Sequence, residues 1–203
     1  MKLEVFFDYT CPYCYLALRE LNQILPDYPE LSVKWCPCEI NPPSEPRVYG
    51  WDKEADWLVE LMPRLEKAGL SIKRPFEPGN YSYLAIQGLF CLEEQGADIK
   101  GYNDAVYNAV FGESKDIENM NVLSECAIAA GADADAFRRA LNSEAYIERR
   151  LKLNKYGWEE NALDSVPSFR LGDARLNAVY GVGVLRQQIE EFLRKFFTEV
   201  NNA

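Results

Sequence analysis

The sequence predicts an α/β fold whose sheet is built from both ends of the chain and interrupted by a large all-helical block. Three observations predict it. The N-terminal segment follows the order strand, helix, strand. The C-terminal segment follows the order strand, strand, helix, and residues 53–155 between them carry only helical patterns. A chain of 203 residues is long enough for one domain that carries such an insertion.

The N-terminal half predicts a β-α-β unit. Residues 3–7 form a short and mostly apolar segment typical of a strand, and apolar side chains recur at helical spacing over residues 12–25. Residues 31–35 alternate between apolar and polar side chains, which predicts a second strand, parallel to the first. Pro37 indicates the end of this strand or an edge position, because proline donates no ladder hydrogen bond.

A proline-rich segment at residues 41–51 predicts a linker, and the all-helical insertion follows it. Six segments predict its helices, at residues 53–68, 82–95, 102–111, 121–130, 133–141 and 144–155. We therefore expect residues 46–155 to form a helical insertion domain. Residues 1–45 plus 156–203 then form a discontinuous domain that carries the sheet.

The C-terminal half predicts a β-hairpin and a final helix. Residues 166–171 and 176–180 have strand patterns, and Gly172 and Asp173 between them are a tight-turn pair. A last helix is expected over residues 184–197. The full order of β-α-β, helical block and β-β-α is that of a thioredoxin fold with the block inserted between its two halves.

Composition and charge exclude several classes of function. The formal net charge is −10 and no basic run exceeds two residues, so nucleic acid and anionic membrane surfaces are not expected partners. No signal peptide and no apolar stretch of about 18 residues is visible, so we expect a cytoplasmic protein. The absence of histidine excludes Ser-His-Asp triads, Cys-His proteases and histidine-containing zinc sites.

The strongest chemical motif is Cys11-Pro12-Tyr13-Cys14, at the start of the first predicted helix. Unpaired N–H groups and the helix dipole favour negative charge there, so Cys11 is placed to react as a thiolate. Cys14 lies one turn later on the same face, where it can attack a mixed disulfide formed at Cys11. We expect Cys11 to be the nucleophile and Cys14 the resolving cysteine. The alternative is that Cys14 is a small core residue and that Cys11 is an incidental thiol with no catalytic role.

Further motifs accompany this pair in a fixed order along nearly the whole chain. They lie at residues 8–15 (DYTCPYCY), 35–42 (WCPCEINP), 116–117 together with 122–131, and 165–169 (SVPSF). This set resembles the DsbA-like thioredoxin superfamily, in particular its intracellular branch of FrnE-type oxidoreductases and hydroxychromene-carboxylate isomerases.

The resemblance implies thiol–disulfide exchange at Cys11 and Cys14. It also implies that Val166–Pro167 is a cis peptide bond that faces the cysteine pair, with the Val166 backbone binding substrate. Pro12 and Tyr13 complete the expected substrate-binding residues.

A second cysteine pair, Cys36 and Cys38, lies on the second predicted strand with both side chains on one face. The strand ends at the same sheet edge as Cys11, so three alternatives are open. The two residues are inert and partly buried, or form an auxiliary redox pair, or join Cys11 and Cys14 in a four-thiolate zinc site. We expect the first, and hence no metal. The two remaining cysteines are expected in the core.

Aromatic side chains flank the predicted centre. Three tyrosines are candidates for a rim that receives an apolar group of the substrate, namely Tyr9, Tyr13 and Tyr15. For Tyr15, packing inside the protein is the alternative. Three tryptophans are expected either to pack or to border a cleft between the two lobes, namely Trp51, Trp57 and Trp158.

Three functional hypotheses result. The first is dithiol–disulfide exchange with a thiol or disulfide substrate, protein or small molecule, and with reductase or isomerase activity favoured over strong oxidase activity. The second is a glutathione-dependent isomerase or transferase, and the third is a zinc-stabilised interaction module. We expect no bound cofactor, and glutathione is a candidate co-substrate. The sequence leaves the oligomeric state open.

Overall fold

A four-stranded mixed sheet in the order β2-β1-β3-β4 organises the molecule. The computed structural model describes residues 1–47 and 55–201, with backbone only for 199–201. Strand β1 (Lys2–Phe7) pairs in parallel with β2 (Ser32–Pro37) and antiparallel with β3 (Ser168–Leu171). Pro37 therefore occupies both expected positions, since it ends β2 and β2 is an edge strand.

The β-α-β half matches the sequence prediction. Helix α1 (Pro12–Ile24) begins directly after Cys11, because a proline at the first helical position needs no hydrogen-bond acceptor. Its buried face carries apolar side chains, among them Leu18 and Leu21. A single 3₁₀ turn (Leu25–Asp27) then leads the chain towards β2.

The hairpin of the C-terminal half is shorter than predicted. Strand β4 is Ala174–Leu176, so the prediction of a strand over residues 176–180 is wrong. The two-residue turn at 172–173 fixes Leu171 opposite Ala174, which places β4 immediately after the turn. The chain then leaves the sheet, and helix α8 (Arg186–Asn201) closes the fold. Tyr180 and Gly181, in the segment between β4 and α8, line a surface cleft.

Six α-helices occupy the described part of the chain between β2 and β3. Their bounds are α2 (Asp56–Lys67), α3 (Tyr83–Gln95), α4 (Ile99–Tyr107), α5 (Met120–Ala129), α6 (Ala134–Ala140) and α7 (Glu144–Lys155). Helix α4 starts earlier than predicted because the Asp98 carboxylate accepts the N–H of Gly101 at 2.9 Å and caps it. Helices α4 and α7 each continue into one π-helical turn, at Asn108–Gly112 and Tyr156–Glu160.

One continuous apolar core joins the sheet to the helical block. Helix α1 contacts α8, α4 and α2, and α7 contacts β2. The predicted division into two domains at residues 46 and 155 stays a prediction. Within the described residues, no helix is both long and apolar enough to cross a bilayer.

Candidate active site

Cys11 is the N-cap residue of α1 and lies on the floor of a surface cleft. Its thiol donates to the carbonyl oxygen of Val166, with 3.6 Å between sulfur and oxygen. Cys11 is 6% exposed, and its sulfur makes no capping hydrogen bond. The Val166–Pro167 peptide bond is cis, as the sequence resemblance predicts. The structure therefore brings together the first cysteine and the loop before β3, which are 155 residues apart.

Cys14 lies one turn further along α1 and is fully buried. Burial raises the pKa of its thiol well above the usual value, and the neighbouring Cys11 raises it further. Both cysteines are free thiols. The pair is therefore asymmetric, with one sulfur at the cleft and one sulfur behind it.

The loop before Cys11 is held by a buried carboxylate that the sequence analysis did not assign. One oxygen of Asp8 accepts the backbone N–H and the hydroxyl of Thr10 at 2.8 and 2.9 Å, and the other accepts the N–H of Ile40 at 2.7 Å. Burial raises the pKa of Asp8, while the hydrogen bonds from Thr10 and Ile40 oppose that rise. Asp8 thus ties the start of α1 to the segment after β2.

Two of the three flanking tyrosines pack inside the protein instead of forming a rim. Tyr9 is fully buried and donates to Asn103 at 2.6 Å. Tyr15 stacks on Tyr107 and Phe111, with ring centroids 5.5 Å apart in each case. The rim prediction is therefore wrong for Tyr9, and for Tyr15 the packing alternative holds, because both rings pack against aromatic residues of the helical block.

Tyr13 lines the cleft and also contacts the backbone of two other lining residues. Its hydroxyl donates to the carbonyl oxygen of Gly181 at 2.5 Å and lies 3.4 Å from the carbonyl oxygen of Trp57. Burial raises the pKa of Tyr13, and the nearby Arg64 partly offsets this rise. A Cβ at Gly183 would lie 2.8 Å from the Tyr13 ring, so glycine is needed where this ring packs on the backbone. Gly183 also has φ +73°.

The cleft above Cys11 has a volume of about 780 Å³. Four aromatic side chains among the described residues border it, namely Tyr13, Trp57, Trp158 and Tyr180. Tyr180 is 91% exposed and belongs to the segment that leaves the sheet after β4. Trp57 and Trp158 therefore border the cleft, which was one of the two sequence-based expectations, while Trp51 lies outside the described residues. Pro12 and Val166 line the cleft as well.

A second buried carboxylate fixes the wall formed by the end of β2. Glu39 is ion-paired with Arg150 of α7 and accepts the side-chain amide of Asn154 at 2.5 Å. Its own N–H donates to Asn154 Oδ1, and its carbonyl oxygen accepts the Trp158 indole at 3.0 Å. Glu39 thus positions Trp158 at the cleft. The acidic residue after Cys38 was visible in the sequence, but its partners lie more than 100 residues away.

Cys36 and Cys38 are fully buried and do not line the cleft. Burial raises the pKa of Cys36 to about 12, and it raises the pKa of Cys38 further above its usual value. The Cys38 thiol lies against Gly157 and within 3.8 Å of the Leu153 carbonyl oxygen. Because such thiols stay protonated, their placement favours the inert alternative over an auxiliary redox pair.

No three His, Cys, Asp or Glu side chains come close enough to hold a metal ion in the parts of the chain that the structure describes. Cys11, Cys14, Cys36 and Cys38 therefore do not assemble the ligand set that the zinc alternative requires.

Comparisons with known proteins agree with this architecture. The chain is 27% identical over 199 residues to the uncharacterized protein YwbO of Bacillus subtilis (strain 168), covering 96% of this chain and 98% of that protein. It is 26% identical over 182 residues to the 2-hydroxychromene-2-carboxylate isomerase of Pseudomonas putida, covering 85% and 86%.

The cytosolic disulfide reductase DsbM of Pseudomonas aeruginosa has a similar fold, with a TM-score of 0.70, 17% identity and full coverage of both chains. The same reductase solved with GSH gives a TM-score of 0.68 at 16% identity, covering 99% of this chain and all of that one. The family model described as DSBA-like thioredoxin domain matches residues 2–193. This protein is a member of the DSBA-like thioredoxin domain family.

Proposed function

We propose that this protein is a thiol–disulfide oxidoreductase that uses Cys11 as its nucleophile and Cys14 as its resolving thiol. One observation carries the proposal. Cys11 sits at the helix N-terminus on the floor of the cleft, against the Val166 carbonyl oxygen, while Cys14 lies buried one turn behind it. Cys11 lines the cleft and Cys14 does not, and this difference supports the assignment of the two roles.

The proposed reaction transfers two electrons from the protein to a disulfide. The Cys11 thiolate attacks one sulfur of the substrate, a mixed disulfide forms, and the other sulfur leaves as a thiolate that takes up a proton. The Cys14 thiol then gives up its proton and attacks Cys11. This step forms the Cys11–Cys14 disulfide and releases the second substrate thiol. A dithiol, or two thiols, must then reduce the protein for the next cycle.

The raised pKa of Cys14 suits this order of events. Because burial keeps Cys14 protonated, it does not compete with Cys11 for the first attack. We propose reductase or isomerase activity instead of strong oxidase activity. The fold shared with a protein named a cytosolic disulfide reductase supports this direction, and it supports a cytoplasmic location for the present chain.

The isomerase relative supports a second candidate function. A protein 26% identical to this chain is named a 2-hydroxychromene-2-carboxylate isomerase, and such chemistry would not need two thiols. The dithiol at positions 11 and 14 favours disulfide exchange. Retention of full activity on a small electrophile with glutathione in Cys14→Ser, together with no disulfide turnover in the wild type, would favour the isomerase.

The trapping of a mixed disulfide tests the proposed roles. Cys14→Ser should accumulate a covalent adduct between Cys11 and a substrate thiol, because the resolving attack is lost. Cys11→Ser should accumulate none. Intact-protein and peptide mass spectrometry after incubation with hydroxyethyl disulfide reads both outcomes. An adduct on Cys14 in the Cys11→Ser variant at the same rate would contradict the assignment of the nucleophile.

A further inference from the structure

The described lining of the cleft above Cys11 carries an unbalanced negative charge. It includes three carboxylates, Glu39, Glu45 and Asp164, and none of the described lining residues is Lys or Arg. Glu39 is neutralised by its ion pair with Arg150. Glu45 and Asp164 are exposed, and neither has an ion-pair partner among the described side chains.

Two arginine side chains near the cleft, Arg64 and Arg47, already donate hydrogen bonds to other groups of the protein. Arg64 is close enough to act on the pKa of Tyr13, but it donates to the carbonyl oxygens of Val182 and Val184 at 2.6 and 2.8 Å. The nearby Glu20 carboxylate interacts with the charge of Arg64. Arg47 is held by Glu118 through both of its terminal nitrogens. Both guanidinium groups are therefore held by other partners, and no described lining residue is basic.

We propose that this cleft selects disulfides with cationic or neutral flanking groups and disfavours anionic ones, with Glu45 and Asp164 as the specificity-determining residues. This inference rests on the proposed function, and it names the substrate class for the same site. Glutathione disulfide, which carries an excess of carboxylates, is accordingly a poor substrate. A peptide or small disulfide with an amino group beside the sulfur is a good one.

The physical basis is the field inside a low-dielectric cleft. Aromatic side chains border the described part of the cleft, and beside such low-dielectric walls charges at the rim act over longer distances than they do in open solvent. Exposed charges are still screened by salt, with a Debye length of about 10 Å at 0.1 M. The selectivity should therefore be strong at low ionic strength and weaken as salt is added.

Charged thiol probes test the inference without requiring turnover. A methanethiosulfonate reagent transfers its thioalkyl group to the Cys11 thiolate. The Cys11–sulfur bond forms, the sulfur–sulfonyl bond breaks, and methanesulfinate leaves. We compare a trimethylammonium-ethyl reagent with a sulfonato-ethyl reagent in the Cys14→Ser background, and we read Cys11 modification by peptide mass. The cationic reagent should react faster by about tenfold at low salt, after correction for its rate with a free thiol.

A variant of the rim acids identifies the source of the selectivity. Glu45→Gln with Asp164→Asn should lower the corrected rate ratio by several-fold. Asp135→Asn with Glu148→Gln, which removes the same charge from exposed sites on α6 and α7, should leave it unchanged. An equal ratio in the rim variant and the parent, or faster reaction of the sulfonate reagent with the parent, would overturn the inference.

Turnover then separates this inference from the proposed function. The wild type should reduce cystamine and hydroxyethyl disulfide more efficiently than glutathione disulfide, and the rim variant should narrow that difference. If the charged probes discriminate but no disulfide is turned over, the proposed function fails while the charge selectivity of the cleft stands. If glutathione disulfide is the best of the three substrates, the selectivity fails while the function stands.

Discussion

The two cysteine pairs of this protein differ in place, although both lie near the ends of neighbouring parallel strands. Cys11 and Cys14 stand at the start of a helix, one at the cleft and one behind it. Cys36 and Cys38 lie in and just after an edge strand, fully buried, with thiols that stay protonated. Backbone position, and not the number of nearby thiols, therefore decides which pair has a cysteine at the cleft.

The contrast between the two pairs would be contradicted most directly if Cys36 or Cys38 proved to be essential for disulfide turnover. Cys11→Ser should lower the rate of disulfide turnover on the order of 10³-fold or more, because the attacking sulfur is removed. Cys36→Ala and Cys38→Ala, as matched controls, should stay within about twofold of the wild type when folded. A steady-state assay with hydroxyethyl disulfide and dithiothreitol measures all three. A large loss in either control would assign the second pair a redox role.

Packing at Cys38 gives the next largest effect. A Cβ at Gly157 would lie 2.3 Å from the Cys38 sulfur, so Gly157→Ala should lower the free energy of unfolding by about 1–3 kcal/mol. In the double variant, Cys38→Ala should recover much of the lost stability, because the methyl group introduced at position 157 then occupies the space that the Cys38 sulfur leaves. Urea unfolding of the four proteins gives the coupling energy. Additive losses would show that Cys38 does not pack where the structure places it.

Alkaline pH should destabilise the protein through its buried thiols. The pKa of Cys36 rises from about 9 to about 12 on folding. Below pH 9 the thiol is protonated in both states and does not affect stability. Above pH 9 it loses its proton first in the unfolded state, which is thereby stabilised relative to the folded state. Between pH 9 and 10 this one group should lower the free energy of unfolding by about 1 kcal/mol. Cys36→Ala should lose less stability than the wild type over this interval. Equal losses in urea unfolding would contradict a buried Cys36 thiol.

The smallest expected effect concerns the wall of the reactive site. Tyr13→Phe keeps the ring against Gly183 but removes the hydrogen bond to Gly181, so it should cost about 0.5–1.5 kcal/mol of stability. Tyr28→Phe is the control, since the structure gives its hydroxyl no hydrogen-bond partner among the described residues. Thermal unfolding compares the two. An equal loss of thermal stability in both variants would contradict a stabilising hydrogen bond from the Tyr13 hydroxyl.

Local signals made the fold and the position of Cys11 at a helix start predictable. Pro12 at a helix start, the alternation in β2 and the turn at Gly172 each act within a few residues, and each holds in the structure. The short β4 was missed because strand residues and a cleft-lining loop can share the same apolar pattern.

The cleft wall was beyond sequence reasoning for another reason. Glu39 depends on Arg150, which is 111 residues away, and nothing local indicates that contact. The orientation of Tyr9 and Tyr15 likewise depends on α4, whose Tyr107 packs against both rings.

A redox titration of the two pairs tests the central claim most directly. The protein is equilibrated in graded ratios of reduced to oxidised dithiothreitol and glutathione, and the oxidation state of each cysteine is read by alkylation and peptide mass. We expect one two-electron transition confined to Cys11 and Cys14, with a potential well below that of DsbA at about −120 mV, while Cys36 and Cys38 stay reduced. A transition at Cys36 and Cys38, or none at Cys11 and Cys14, would contradict the assignment of the dithiol centre.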